Sequence, residues 1–345
     1  MTTTGNAARR LPAEWETQGA VLLAFPPAGG DWDPWLDEAR ACVAAIARAI
    51  APRCPVMVLA DDAEPARASC AGLATVVEVP LNDTWIRDFG PITVLDGGAP
   101  RLLDFGFNGW GLKFAADQDN QATARLHAAG HLGRVPRDVP GLWLEGGALE
   151  SDGAGTILTT SACLLSPNRN PHLSRADLDA ALGHHLGAQR VLWLDHGHLE
   201  GDDTDAHIDT IARLCPGDTI AYVCCDDATD SHFAGFQAME AQLRALRTAA
   251  GTPYRLVPLP WAREVRAADG HRLPATYANV LLVNGAVLVP TYRDPARDAA
   301  ALHAMGIACP GMDIIGVDCR VLVEQHGSLH CMTMQVPSEV FTWTP

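Results

Sequence analysis

The feature that most limits the fold of this chain is a rhythm. Short apolar runs of strand length, each closed by Gly, Pro or Asp, alternate with alanine-rich helical stretches from one end to the other. Strands are predicted at 56–60, 75–79, 155–160, 190–194, 219–224, 279–289 and 314–323. Helices are predicted at 35–50, where Trp35, Ala39, Val43, Ile46 and Ile50 share a face, and at 231–249 and 295–305. The reading is mixed α/β. No low-complexity segment or charge block marks a linker, which favours one domain at 11–345 preceded by a flexible N-terminus at 1–10. A strand–acidic loop–strand–helix module recurs about five times, although the copies share too little sequence to demonstrate a repeat.

Charge and cysteine content narrow the function classes. Forty-one acidic against 25 basic side chains give a formal charge of −16, which argues against a phosphate-binding surface and hence against nucleic acid. An acidic cleft drawing a small cation fits better. The first ten residues have no apolar signal region, and the apolar run at 20–25 is too short to span a bilayer, so no membrane association and a cytoplasmic location are expected. Ten cysteines without a Cys-x-x-Cys pair then read as reduced core thiols rather than a zinc site.

Four loop islands concentrate reactive side chains. Asn82 to Pro91 places Asp83, Trp85, Arg87 and Asp88 just past a strand end; a plain turn, with Asp83 bonding its own backbone and Arg87 neutralising Asp88, also accounts for it. Glu145-Gly146-Gly147 puts a carboxylate beside backbone that a ligand or another chain segment can approach closely. In Gly201 to Thr210, extended geometry would set Asp205, His207, Asp209 and Ile211 on one face. The same carboxylates around His207 could instead hold a hard divalent ion. In His326 to Pro337, strand register would line His330 with Met332 and Met334 on the apolar face, leaving Cys331, Thr333 and Gln335 on the polar one. Cys331 then faces a site, His330 points away from it, and the other nine cysteines are inert packing.

One thiol, one imidazole and several carboxylates in separate loops suggest nucleophilic attack on a cation. A free thiol near pKa 8.5 is only about 3% thiolate at neutral pH, so a positive charge must favour its ionisation. A guanidinium substrate supplies that charge itself. Paired carboxylates could grip its fork while sulfur attacks the central carbon.

Taken together, these islands resemble the agmatine deiminase and bacterial peptidylarginine deiminase family, within the guanidino-modifying pentein superfamily. The likeness runs from Leu11-Pro12-Ala13-Glu14-Trp15-Glu16 through Phe107-Asn108-Gly109-Trp110-Gly111, Asn168-Arg169-Asn170-Pro171 and Asn284 to Pro290, ending at Cys331 to Gln335. It implies a five-bladed, pseudo-fivefold α/β propeller with the site on its axis. By the same resemblance, Cys331 is the nucleophile and His207 the general acid and base. Asp88 and Asp209 grip the guanidinium, and Glu145 orients the histidine. Trp85 packs on the guanidinium plane, and Trp110 and Asn279 line the site. The implied reaction needs no metal or organic cofactor: sulfur addition, ammonia loss from a thiouronium adduct, and hydrolysis to a ureido product.

Within that family the tail of the substrate is the open choice. The Phe107 to Lys113 loop has no arginine to hold a carboxylate, which favours agmatine over free or protein-bound arginine, with N-carbamoylputrescine as product on the way to putrescine. Against this, the Gly-Gly-Gly-Asn often found before the His-Cys pair is replaced here by His326-Gly327-Ser328-Leu329. Lys113, Asp202 and Asp203 are the side chains whose contact with the tail the sequence leaves open. The alternatives are a protein-arginine or free-arginine deiminase, a metal-dependent hydrolase built on Asp202, Asp203, Asp205 and His207, and an inactive guanidino-binding protein. The chain could also form a homo-oligomer.

Overall fold

The central strands form where β-branched and leucine side chains are buried on both faces, as in Val56–Ala60, all five residues of which are buried. In a computed structural model describing residues 9–341, the strands form five sheets of one pattern, beside a separate two-stranded hairpin of Val265–Arg266 with Arg272–Leu273. In each of these five the first two strands pair antiparallel, and the third lies parallel to the second after an intervening helix. Four sheets follow in chain order: Ile92–Asp96 with Ala99–Leu103 and Arg137–Asp138; Glu150–Ser151 with Thr156–Thr160 and Arg190–Leu194; Ala212–Cys215 with Thr219–Val223 and Arg255–Leu259; Leu281–Val283 with Ala286–Thr291 and Asp313–Asp318. The fifth joins the two ends of the chain: Thr333–Pro337 pairs antiparallel with Gln18–Ala24, which continues into Val56–Ala60 and Thr75–Glu78. This is the five-bladed α/β propeller, and the faint modular recurrence is its blade.

The helices between second and third strands bury the alanine-rich faces. Leu36–Ile50 buries Ala39, Val43, Ile46 and Ile50, as predicted, while Trp35 ends a short 3-10 turn before it. A helix at Arg175–Leu186 was not predicted. Its signals were present: Ser174 and Asp177 form a reciprocal capping box, and Gly187 closes the helix in the left-handed conformation. The run at 279–289 is not one strand but a hairpin, because Asn284 and Gly285 both take positive φ and reverse the chain between Leu281–Val283 and Ala286–Thr291. The run at 314–323 is Asp313–Asp318 followed by a 3-10 turn.

Of the expected flexible segment, residues 1–8 lie outside the described residues. Arg9 and Arg10 are tied down: Arg9 pairs with Asp96 at 2.7 Å, and Arg10 forms a β-bridge with Leu95 while its guanidinium meets Glu16. No helix among the described residues is long and apolar enough to cross a membrane.

One consequence of the pattern positions the chemistry. The segment just before the first strand of each blade holds, in turn, Trp85 and Asp88, then Glu145 and Gly147, then His207 and Asp209, then Asn279, and finally His330 and Cys331. Five equivalent segments meet at the hub, and every island named above except the outer part of the Gly201–Asp205 loop lies in one of them.

Candidate active site

Two islands differ locally from their extended reading. His207 and Asp209 are not on a strand: Ile208–Thr210 is a 3-10 turn, and the strand starts at Ala212. Asp205 and Ala206 take φ of 65° and 64°, a bend that Asp202 holds by accepting from Thr204 Oγ1 and from the Ala206 N–H, both at 2.6 Å. Likewise the strand at the C-terminus starts only at Thr333. Ahead of it the chain turns, with the Met332 and Thr333 N–H groups donating to the Leu329 and His330 carbonyls. His330 therefore does not point away from the site, because period-two alternation does not apply to a turn. Its Nδ1 lies 2.7 Å from Asp209 Oδ2, and Cys331 Sγ lies 4.0 Å from that same oxygen.

Asp88, Glu145, His207, Asp209 and Cys331 are brought together and are nearly or wholly buried. His207 Nδ1 is 3.6 Å from Asp88 Oδ1, and Asp88 Oδ1 also accepts from the Gly147 N–H at 2.9 Å. Gly147 is required here for space: a Cβ at that position would sit 2.5 Å from His207 Nδ1 and 2.8 Å from Asp88 Oδ1. Trp110 donates its indole N–H to Asp88 Oδ2 at 2.9 Å. Trp85 lies against Trp32 and under Gly327, where any side chain would strike the indole ring. Asn279 sits behind the thiol, its Oδ1 accepting from the backbone N–H of His330 and Cys331 and lying 3.4 Å from Cys331 Sγ. Asp209 Oδ1 and both ring nitrogens of His207 have no hydrogen-bond partner in the protein. Unpaired buried groups of this kind are costly unless a ligand meets them.

Arg87 does not neutralise Asp88. It turns to the other side of the hub, its Nε 3.5 Å from the His330 carbonyl and its Nη2 4.0 Å from Glu14. Asp83 does bond its own backbone, accepting from the Thr84 N–H at 2.7 Å. Two participants went unassigned in the sequence. Arg169 is buried and donates to both oxygens of Glu145 at 2.9 Å, then to Asp205 at 2.6 Å. Cys163, treated as inert packing, offers its sulfur within 4.8 Å of ligand atoms of Glu145 and His207. No local pattern marks that thiol, since its neighbours in sequence form a short apolar helix.

Those three residues are the one group among the described residues with metal-ligand atoms so close together, and Arg169 already occupies Glu145. Asp202, Asp203, Asp205 and His207 do not converge as the metal-hydrolase alternative requires. Asp202 holds its loop, and Asp205 is paired with Lys113 at 2.8 Å and with Arg169.

The charges of the hub are set by burial against neighbours. For His207, burial opposes the cation, but the Asp88 carboxylate, the Cys163 thiol and Glu145 outweigh it and push the imidazole up to about 10. Burial pushes the Asp88 carboxyl up, aided by the nearby Asp209 and Glu145 charges. Asp209 ends below the usual range, because the His330 contact overcomes burial. Burial, then the Asp209 and Asp88 charges, push the Cys331 thiol well above its ordinary value. A raised thiol pKa means less thiolate at any given pH. Iodoacetamide labelling of Cys331 in the free protein should therefore be slower at neutral pH than labelling of a free thiol, and should accelerate as pH rises; peptide mass spectrometry of the labelled site checks it. Rapid labelling at neutral pH would contradict this ordering of charges.

A cavity of about 40 Å³ opens onto Cys331, with Trp85, Asp88, Trp110 and Phe114 in its wall and Asp31, Asp83 and Asp203 among its outer residues. A larger cavity of about 350 Å³ adjoins the hub but is not lined by Cys331; Glu14, Arg87 and Gly146 are among its lining residues. The smaller one, which reaches both the Cys331 thiol and Asp88, is the candidate site.

A buried thiol, imidazole and carboxylate pair at the hub of five such blades is the arrangement of the guanidino-modifying propeller enzymes. The chain belongs to the Porphyromonas-type peptidyl-arginine deiminase family, whose pattern matches residues 10–337. It is 34% identical to the agmatine deiminase of Stutzerimonas stutzeri, over 95% of each chain. It is 33% identical to C. jejuni agmatine deiminase solved with substrate bound, over 97% of this chain and 98% of that one, with a TM-score of 0.89. A solved Porphyromonas gingivalis protein provisionally described as an arginine deiminase is 49% identical over 95% of this chain and 98% of that one, with a TM-score of 0.90.

Proposed function

We propose that this protein hydrolyses the guanidino group of agmatine to N-carbamoylputrescine and ammonia. Cys331 is the nucleophile, His207 the acid and base, and Asp88 and Asp209 the guanidinium grip. The observation that carries the choice of tail is the wall of the site cavity. Asp31, Asp83 and Asp203 line it, and its one basic side chain is His326, 3.6 Å from Asp203. Lys113 is turned aside, its ammonium bonding the Asp203 carbonyl and Asp205. A carboxylate-bearing tail would meet like charge there, whereas the ammonium of agmatine would meet opposite charge.

In the free site the thiol is held neutral and His207 cationic. The guanidinium, lying between Asp88 and the unpartnered Asp209 Oδ1, brings the positive charge that favours thiolate, the thiol proton passing to solvent as substrate binds and returning to the sulfur once product has left. Sulfur bonds to the guanidinium carbon, and His207 passes its proton to the departing nitrogen, which leaves as ammonia. The neutral imidazole then takes a proton from water as the oxygen bonds to that carbon. Collapse breaks the C–S bond, frees the ureido product and returns the thiolate; the remaining proton leaves with ammonia as ammonium. The cytoplasm suits a chain whose ten cysteines are all free thiols.

A second reading keeps the chemistry and changes the tail. The 49% identity to the P. gingivalis protein favours an arginyl substrate. Steady-state assays on agmatine, arginine and a blocked arginyl peptide separate the two. Agmatine should have the highest kcat/KM, by at least about tenfold; preference for arginine or the peptide would reverse the assignment.

A further inference from the structure

Behind Asp209 lies a buried ionic chain that the reaction as described does not use. Asp209 Oδ2 meets His330 Nδ1 at 2.7 Å, and His330 Nε2 meets Glu14 Oε2 at 2.7 Å. Glu14 lies on the wall of the 350 Å³ cavity and uses its other oxygen to accept from the Leu282 N–H at 2.7 Å. Arg213 braces the chain from the third blade. Its Nη2 is 3.0 Å from Glu14 and 3.2 Å from His330 Nε2, and its Nε is 2.6 Å from Glu150. Arg87 faces Glu14 from the other side at 4.0 Å.

Two ring nitrogens that each face a carboxylate oxygen at 2.7 Å satisfy both contacts only when each carries a hydrogen, that is, as imidazolium. The groups around that ring are Asp209 and Glu14, Arg213, and the Cys331 thiol that shares Asp209 Oδ2. Such a network costs desolvation and adds little stability compared with apolar packing, so its geometry points to positioning. Oδ2 of Asp209 is anchored, while Oδ1 is buried with no hydrogen-bond partner.

We propose that Glu14 and His330 are positioning residues that act through Asp209, fixing one carboxylate oxygen so that the other faces the guanidinium. This rests on the site assignment above and extends it to a residue in the N-terminal segment, 316 positions from His330. Because the anchor acts on a contact made in both ground and transition states, loss of it raises KM more than it lowers kcat.

The test is kinetic and spectroscopic. In Glu14→Gln and His330→Gln, KM for agmatine should rise about tenfold or more, the range seen when outer supports of a ligand are removed, with kcat changing less. The acidic limb of kcat/KM should move to higher pH in both, because Asp209 loses the cation that keeps it ionised as pH falls. The double variant should show less than the sum of the two effects, since both cut one chain. If the variants fail to fold, Cys331→Ala protein labelled with ¹⁵N-histidine reports directly: both His330 ring nitrogens should be protonated, and agmatine should shift them. Active wild type with an unchanged KM and acidic limb in the variants, or a neutral His330 ring that does not respond to agmatine, overturns the proposal. Wild type inactive on every guanidino compound would instead overturn the site assignment.

Discussion

Cys331→Ala is expected to abolish turnover, by on the order of 10⁴-fold or more, while leaving agmatine binding and the thermal unfolding midpoint close to wild type. Binding persists because the carboxylates that meet the guanidinium, Asp88 and Asp209, are held by other groups: the Gly147 N–H and Trp110 indole for the first, and His330 for the second. Stability persists because the thiol makes few strong contacts, its nearest polar neighbours lying 3.4 and 4.0 Å away. The chemistry does not persist, since the substitution removes the sulfur that forms the bond to the guanidinium carbon in the proposed scheme. Isothermal titration with agmatine, a differential scanning trace and an ammonia assay give the three numbers. Intact mass of rapidly quenched wild-type reactions should show a transient adduct that is missing in the variant. Substantial ammonia release by the alanine variant would end the covalent scheme.

Asp209→Asn is expected to lower kcat/KM by on the order of 10³-fold, the scale of breaking one half of a buried charged contact, with both KM and kcat affected. Asparagine keeps the shape but removes the charge, and its NH2 group would face either the His330 ring or the guanidinium, two donors that the native carboxylate accepts from. The substitution also removes an anion close to the thiol. Cys331 in the free variant should therefore ionise more readily than in wild type, because the Asp209 charge is one cause of its raised position. The variant should pair much poorer turnover with faster iodoacetamide labelling at neutral pH. Slower labelling, or agmatine affinity equal to wild type, would show that Asp209 is not part of the grip.

The opposing signs of those two effects illustrate how the hub works. In the proposed scheme the two carboxylates of the grip are also the anions that, with burial, raise the Cys331 thiol in the empty site. His207 is set the other way, its cation favoured by the Asp88 carboxylate despite burial. One set of anions thus maintains both resting states.

Much of this was readable residue by residue. The strands at Val56–Ala60 and Arg190–Leu194 follow from apolar runs of five and four residues, and the Glu145-Gly146-Gly147 motif announced a close approach that the Gly147 contacts bear out. Arg87 and Asp88 show where the reading stops. Adjacent in sequence, they could equally have formed a plain ion pair, an alternative the sequence left open, yet the single helical turn Ile86–Phe89 sends them to opposite sides of the hub. His330 shows the same limit, because alternation was applied to a stretch that turns.

By itself, then, the amino-acid sequence determined the alternating α/β elements, the reactive side-chain types and their placement in loops ahead of strands, since each depends on neighbours a few positions away. Only the tertiary structure decided which of those loops meet. Asp209 and His330 are 121 positions apart and Glu14 and His330 are 316 apart. They touch because Thr333–Pro337 pairs with Gln18–Ala24 and closes the ring of blades. Local periodicity carries no record of that closure; the burial of five sheets around one hub does.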